Sequence, residues 1–362
     1  MPFTCRDRRA CQAVLARTCV PLVLPSLGLA ISLATGACSR ADLVSVSQSE
    51  NALYVDTDSM GVAPISVRAI AVHARADLVE NSAALMSRAQ PGIIFTINDS
   101  GNEPLLFALD TTGADRGAWR VVGASNVDWE AAALGPCPSV DASARTTHSS
   151  GCIYIGDTGD NNAVYTQRAI YRVREPGAQA TGFSGALATE RLDYRYPDRP
   201  HDVEAMYVAA DGTVTLITKR PLEDARGHLR PALVFSLPNA FWGSDTTAVA
   251  QLVDSLPIVP GSAPRRLITD ASLSTDGRLL AVRTYAQIYV FATDSSNARV
   301  RSTVRPAICN IAQIETVGGE GITWYADSSR LLLTSEGWNT PMHVVNCPLP
   351  SSSREAVVRG TA

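Results

Sequence analysis

From residue 65 to residue 346 the chain is a succession of short apolar runs, each bounded by Gly, Asp, Asn, Ser or Pro. Runs of this length, rich in Ile, Val, Leu and Thr and bounded by turn formers, predict strands rather than helices. Residues 201–220, HDVEAMYVAADGTVTLITKR, hold the plan entire: a carboxylate and a small residue open a strand, Asp211-Gly212 turns it, and a second strand ends in polar groups. The plan recurs five times. Its openers are Ser82-Ala83, Glu130-Ala131, Glu204-Ala205, Asp270-Ala271 and Glu320-Gly321, spaced by 48, 74, 66 and 50 residues.

Second strands follow at 93–97, 153–155, 214–218, 279–283 and 331–334, and third strands at 105–109, 169–173, 233–237, 288–291 and 342–345. Fourth strands are expected at 119–122, 192–196, 250–256 and 300–304. The last unit runs out of chain, and residues 65–72 (ISVRAIAV), which alternate apolar and polar, supply its missing strand. A fixed plan at this spacing predicts an all-β protein, a β-propeller of five blades with its ring closed by an N-terminal strand. A degenerate sixth unit in residues 42–64 or in a long gap stays open, and a pair of β-sandwiches is the alternative that needs no repeated opener. With 362 residues, 46% apolar and 18% charged, the chain exceeds the size of one ordinary core, which a modular ring accommodates.

The N-terminus is an address. Arg6, Arg8, Arg9 and Arg17 precede an apolar run over 20–33 that Pro21 and Pro25 interrupt, and Leu33-Ala34-Thr35-Gly36-Ala37-Cys38 ends it. This segment resembles a bacterial lipoprotein signal with Thr35 where a bulkier aliphatic residue is usual. Expected, then, are a signal over 1–37, lipidation at Cys38, a linker over 38–62, the propeller over 63–350 and a tail over 351–362. Plain secretion and an uncleaved anchor are the other outcomes, and all three place the chain outside the cytoplasm. Of eight cysteines four remain beyond Cys38, and pairing near neighbours gives Cys137 with Cys152 and Cys309 with Cys347, though four cysteines allow three pairings. Without residues 1–37, 27 basic residues face 34 acidic ones, a formal charge of about −7. That excludes nucleic acid as a natural partner, which needs clustered positive charge, and nothing in the chain calls for more than a monomer.

In a propeller blade the start of the first strand and the end of the second share one face. On that face fall Asp128, Glu130, Asp202, Glu204, Asp270 and Glu320 from the openers, and Asn98, Asp99, Asp157, Asp160, Lys219, Arg283 and Glu336 from the second strands. So many carboxylates repel unless a cation neutralises them. Carboxylate and amide oxygens without clustered His or Cys fit calcium first and magnesium second. The candidate metal ligands are Asp128, Glu130, Asp157, Asp160, Glu204, Asp270 and Glu320. Residues 156–162 (GDTGDNN) are a local calcium-loop candidate, or an acidic turn. The opener carboxylates have a structural alternative as well, accepting hydrogen bonds from the backbone of a neighbouring blade.

Glu320-Gly321-Ile322-Thr323-Trp324-Tyr325, continued through Leu331 to Glu336-Gly337, resembles the Glu-Gly blade motif of bacterial β-propeller phytases and esterase-like phytases. Asp202-Val203-Glu204-Ala205-Met206 resembles a related opener. The resemblance implies calcium binding by Glu204 and Glu320, and by extension Glu130. The chain departs from phytases in its count of five units, in lacking an Asp-Asp-Pro-Ala segment, and in having few basic residues on the acidic face.

Two functions follow. One is calcium-dependent hydrolysis of a small anionic substrate, a phosphate or other ester, with Lys219 and Arg283 holding the anion and His201 as base. The other is a non-catalytic propeller that binds an envelope protein or glycan and uses calcium structurally. No Gly-x-Ser-x-Gly elbow or phosphate-cradling loop points to covalent catalysis.

Overall fold

The computed structural model of the chain describes residues 65–73, 75–138, 151–178, 181–219, 231–256, 258, 267–314 and 318–350. The signal-like segment with Cys38, the linker, residues 139–150, the 220–230 loop and the tail lie outside the described residues.

The strands, in chain order, are β1 (Ser66–Val72), β2 (Leu85–Met86), β3 (Ile93–Ile97), β4 (Leu105–Asp110), β5 (Asp115–Val121), β6 (Trp129–Gly135), β7 (Cys152–Asp157), β8 (Arg168–Arg174), β9 (Phe183–Leu187), β10 (Thr189–Arg195) and β11 (Val203–Val208). They continue with β12 (Val214–Thr218), β13 (Ala232–Leu237), β14 (Ala248–Val249), β15 (Gln251–Leu256), β16 (Ile268–Leu273), β17 (Leu279–Thr284), β18 (Gln287–Ala292), β19 (Ala307–Asn310), β20 (Gly321–Trp324), β21 (Leu331–Thr334) and β22 (Pro341–Asn346). They form five sheets, the blades of a five-bladed β-propeller. Blades I to IV open on β2, β6, β11 and β16, and blade V on β20. The innermost strands are buried along both faces, as the ring requires, and apolar clusters fill the space between successive blades.

The ring closes as its sequence pattern predicts. β1 lies antiparallel on β22, Ser66 opposite Asn346 and Val72 opposite Pro341, completing blade V with a strand from the other end of the domain. Both expected disulfides are present. Cys137–Cys152 joins the end of β6 to the start of β7, and Cys309–Cys347 ties β19 of blade IV to the residue after β22. The second pins the blade that holds the closing strand.

Two features differ from the sequence pattern. The fourth strand of blade IV is β19, residues 307–310, and not 300–304: Val300 makes only a single bridge to Thr293, while Cys309 pairs with Ile288. In addition, β9 and β14 each leave their own blade. β9 runs parallel to β5 on the outer edge of blade I, and β14 parallel to β10 on the edge of blade II. Each lies in the chain between the third and fourth strands of the following blade, so that blade clips the one before it.

A register irregularity marks the opener. It falls at Glu130 in β6, at Glu204 in β11 and at Thr269 in β16, where one residue goes unpaired. Such bulges re-aim a side chain. Here they leave the opener outside the ladder, free to bond across blades as Thr269 does to Gly319 O at 2.9 Å.

Candidate functional site

Each inner hairpin contributes an opener, bulged in blades II, III and IV, and a residue one or two places past the second strand. A repeated hydrogen bond fixes them: the amide of the second residue donates to the carbonyl two places before the opener, as Asp99 to Glu80 (2.8 Å), Thr158 to Asp128 (3.0 Å), Lys219 to Asp202 (2.9 Å) and Glu336 to Gly318 (2.8 Å). From blade I to blade V the openers are Ser82, Glu130, Glu204, Thr269 and Glu320. Their companions are Asp99, Thr158, Lys219, Tyr285 and Glu336. Toward the other ends of the inner strands lies a narrow pocket lined by Met86, Met206 and Trp324 together with Arg88, Ser272 and Thr323.

Three bonds hold the opener carboxylates, one between blades I and II, one within blade III and one between blades IV and V. Ser82 Oγ donates to Glu130 Oε2 at 2.7 Å, Lys219 Nζ makes a salt bridge to Glu204 Oε1, and Tyr285 donates its hydroxyl to Glu320 Oε1 at 2.9 Å. Burial raises the carboxyl pKa values of Glu130, Glu204 and Glu320, and repulsion adds to it, from Glu204 on Glu130, from Glu320 on Glu204 and from Asp99 on Glu320. Burial works against the Lys219 ammonium, but Glu204, Tyr285 and Glu130 outweigh it and keep the group charged. At the half-buried rim, burial and the charge of Asp99 push Asp128 to about 6; burial, Glu320 and Asp99 push Glu336 to about 7.

Asp99, Asp128 and Glu130 converge, with one carboxylate oxygen from each lying within 4.8 Å of the others. Gly159 makes room for them. A Cβ at that position would stand 2.5 Å from Glu130 Cγ and 2.8 Å from Asp128 Cγ. All-oxygen donors from two blades and a glycine-lined approach are what a hard divalent cation needs, and binding it would require Asp128 and Glu130 to give up their protons.

The other expected site residues take different places. Asp270 sits one residue beyond the bulge, and in a strand one place reverses the side. It is wholly buried and accepts the amide of Ile322 at 2.7 Å, the cross-blade structural role. Arg283 pairs with Asp270 in the sheet and is equally buried; its Nη1 donates to Gly321 O (2.7 Å) and Thr334 O (2.6 Å), and burial lowers its pKa to about 10. Held in blade V's backbone, it adds charge below the mouth without reaching a ligand there. His201 is packed against Tyr196 and Phe235, with ring centroids 4.9 Å away in each case, and Nε2 lies 3.0 Å from Asp198. Burial lowers its pKa, and the charges acting on it are Asp198 and Arg199 rather than the mouth glutamates.

The 156–162 segment is a hydrogen-bonded turn. Asp160 accepts the amides of Val164 and Tyr165, both at 2.8 Å, and Asp157 takes the Asp128 amide and a buried salt bridge from Arg168 at 3.0 Å. Asp202 accepts the amide of Asp160 at 2.9 Å, and Asn98 bridges Glu80 and Asp77. Tyr285 was not foreseen as part of the site. Tyr285 follows the same end-of-strand rule that selects Lys219, counted one residue past Thr284.

The strand order defines a five-bladed β-propeller, with acidic side chains gathered where its inner hairpins begin. No family model and no curated protein matches the chain. Among solved structures it is similar to a glutaminyl cyclase from Myxococcus xanthus (TM-score 0.44, 11% identity, 78% of this chain and 97% of that one). It is also similar to a PQQ-bound aldose sugar dehydrogenase from Streptomyces coelicolor (0.41, 12%, 79% and 99%) and to XC5397, a gluconolactonase from Xanthomonas campestris (0.40, 12%, 79% and 91%). These likenesses reach no further than the propeller architecture.

Proposed function

We propose that the protein is an exported, membrane-anchored propeller that holds a calcium ion between blades I and II and hydrolyses a small anionic ester at its channel mouth. The observation that carries this is the convergence of Asp99, Asp128 and Glu130 from two blades. Three such oxygens fill fewer than the six to eight positions calcium takes, which leaves room for water and a substrate oxygen. A bound calcium would supply Lewis-acid polarisation of the ester and offset the carboxylate charge.

The chain's own groups do the rest. Ser82 fixes Glu130 through its hydroxyl. Lys219, charged and in the same ring, favours negative charge developing nearby. Glu336, with a pKa of about 7, is the carboxylate suited to exchanging a proton with water at neutral pH. Two disulfides accord with an oxidising compartment and hence with export, and lipidation at Cys38 would tether the domain. Phytate itself is a poor fit to so acidic a mouth, and the likeness to phytase blades is taken only as far as calcium and ester chemistry.

A second reading, a calcium-stabilised propeller that binds an envelope protein or glycan, is favoured by one observation: both cations nominated for the anion, Lys219 and Arg283, are engaged by the protein. Calcium titration of the full chain, following thermal stability together with hydrolysis of an aryl phosphate and an aryl ester, separates the two. The hydrolase requires turnover that appears with calcium and vanishes in Glu130→Gln, whose calcium affinity should fall roughly a hundredfold with the loss of a charged ligand. Stabilisation without turnover supports the binder, and indifference to calcium removes the metal from both.

A further inference from the structure

We infer that the cleft between blades III and IV binds a neutral sugar ring. The site is separate from the channel mouth and depends on neither reading of it.

The cleft lies where no strand crosses between blades. A strand of blade II covers the edge of blade I and one of blade III covers the edge of blade II, but none passes from blade IV to blade III among the described sheets. The connector that would carry it, between β18 and β19, folds back on itself, the Ala298 amide donating to Asp294 O at 2.7 Å. It meets blade III where the Tyr207 hydroxyl donates to Ala298 O at 3.2 Å. Beside that contact a cavity of about 240 Å³ remains.

Its walls divide by chemistry. Ile217, Val234, Leu256 and Leu280, all buried, give it an apolar side, and the buried Tyr207, Thr215 and Ser236 bring hydroxyls to it. At its exposed rim stand Gln251 and Asp254 of β15 and Asn297 and Arg299 of the connector. Among the described residues no protein group bonds the Ser236 hydroxyl, the Gln251 amide or the Arg299 guanidinium. Burial lifts the Tyr207 phenol to about 12, with Asp254 adding to the rise and Arg299 opposing it, so both charges act on one hydroxyl of the cleft.

Polar groups short of partners beside an apolar wall call for a ligand that has both characters. An ion gains little, because the charges are exposed and screened, and what Arg299 offers an anion Asp254 and the neighbouring Asp211 withdraw. The buried groups are hydroxyls, which donate and accept alike. The rim groups are planar and two-pronged, a carboxylate, two amides and a guanidinium, and can each grasp two adjacent hydroxyls. A pyranose has adjacent hydroxyls around its edge and an apolar C–H face, and one ring suits a cavity smaller than a drug-sized site.

The probes are the methyl pyranosides of glucose, galactose, mannose and N-acetylglucosamine, titrated into the full chain by ligand-observed NMR and calorimetry, against glucosamine hydrochloride, glucuronate, glycine and cyclohexanol. At least one neutral pyranoside should bind about fivefold or more tightly than all four controls. Gln251→Ala and Arg299→Ala, at exposed positions, should each weaken it roughly threefold to tenfold, the worth of one hydrogen bond. Val253→Trp, which fills the cleft from β15, should abolish binding, and the two rim variants keep the test alive if it folds poorly. Calcium, chelator and Glu130→Gln should leave the affinity unchanged, so a failure here and a failure of the calcium reading are told apart. No binding of any neutral pyranoside, a control that binds as tightly, wild-type affinity in both rim variants, or loss of binding in Glu130→Gln would overturn the site.

Discussion

The mouth carboxylates make a distinct demand on the pH dependence of the metal-free protein. Asp128 moves from 3.8 to about 6 and Glu336 from 4.5 to about 7 on folding. Folded-state values above unfolded ones mean that the folded protein binds these protons more tightly. Their stabilisation is therefore complete below about pH 4 and disappears as pH rises through about 6 and about 7. A tenfold change in proton affinity is about 1.4 kcal/mol, so each group alone would be worth about 3 kcal/mol. Both side chains are half-buried, and halving for solvent screening leaves about 1.5 kcal/mol each, of which about 2 kcal/mol in total falls between pH 5 and pH 8.

The assay is urea or thermal unfolding of the full chain in chelator at pH 5, 6, 7 and 8, against Asp128→Asn/Glu336→Gln as the flat reference. Relative to that variant the wild type should lose roughly 4–8 °C of Tm from pH 5 to pH 8. Calcium should reverse the slope, because it requires the ionised carboxylates and adds stability in proportion to its binding. Parallel pH profiles for wild type and double variant, or a calcium increment as large at pH 5 as at pH 8, would refute the account.

Two further outcomes are expected. Gly159→Ala drives a methyl into Asp128 and Glu130 and should weaken calcium binding roughly 10–100-fold, read by titration, at a cost of about 1–3 kcal/mol in metal-free stability. Lys219→Met leaves the buried Glu204 carboxylate without its partner and should cost about 3–5 kcal/mol at pH 8. The deficit should shrink on acidification as Glu204 takes up a proton, and Lys219→Met/Glu204→Gln should recover most of it; a double variant as unstable as the single one would contradict the pairing.

The blades were legible in the sequence because each hairpin carries its own alternation and turn. Asp211-Gly212 shows why: Gly212 has φ +83°, and a Cβ there would stand 2.8 Å from the Asn239 side chain. Partnerships between blades were not. β9 and β14 pair in parallel outside their own blade, and β14 spans only Ala248–Val249, so no local periodicity announces either. In blade IV the 300–304 segment alternates as well as 307–310 does, and only the pairing of Cys309 with Ile288 decides between them.

At the mouth the face was readable but the side chains that share it were not. Counting Asp270 as the blade IV opener overlooks a bulge one residue earlier, at Thr269, and that single place turns Asp270 and Arg283 from the channel into the sheet. Likewise Asp157 and Asp160 have the composition of a calcium loop, but the backbone amides and Arg168 that hold them come from residues the pattern does not tie to them. Glu130, Glu204 and Glu320 come close enough for the charge of Glu204 to act on Glu130 and that of Glu320 on Glu204. What the spacing could not supply was their neighbour, Asp99 from the preceding blade beside Glu130 or Tyr285 beside Glu320.

The two clip strands restrict how such a ring can change its size in evolution. A duplication or deletion that cut between blades I and II, or between II and III, would separate an edge from the strand that covers it and expose unpaired backbone in two units at once. Across the step from blade III to blade IV no strand is exchanged among the described sheets. That step is where a lineage could add or shed a blade with the fewest broken pairings, and where relatives with other blade numbers should show their insertion.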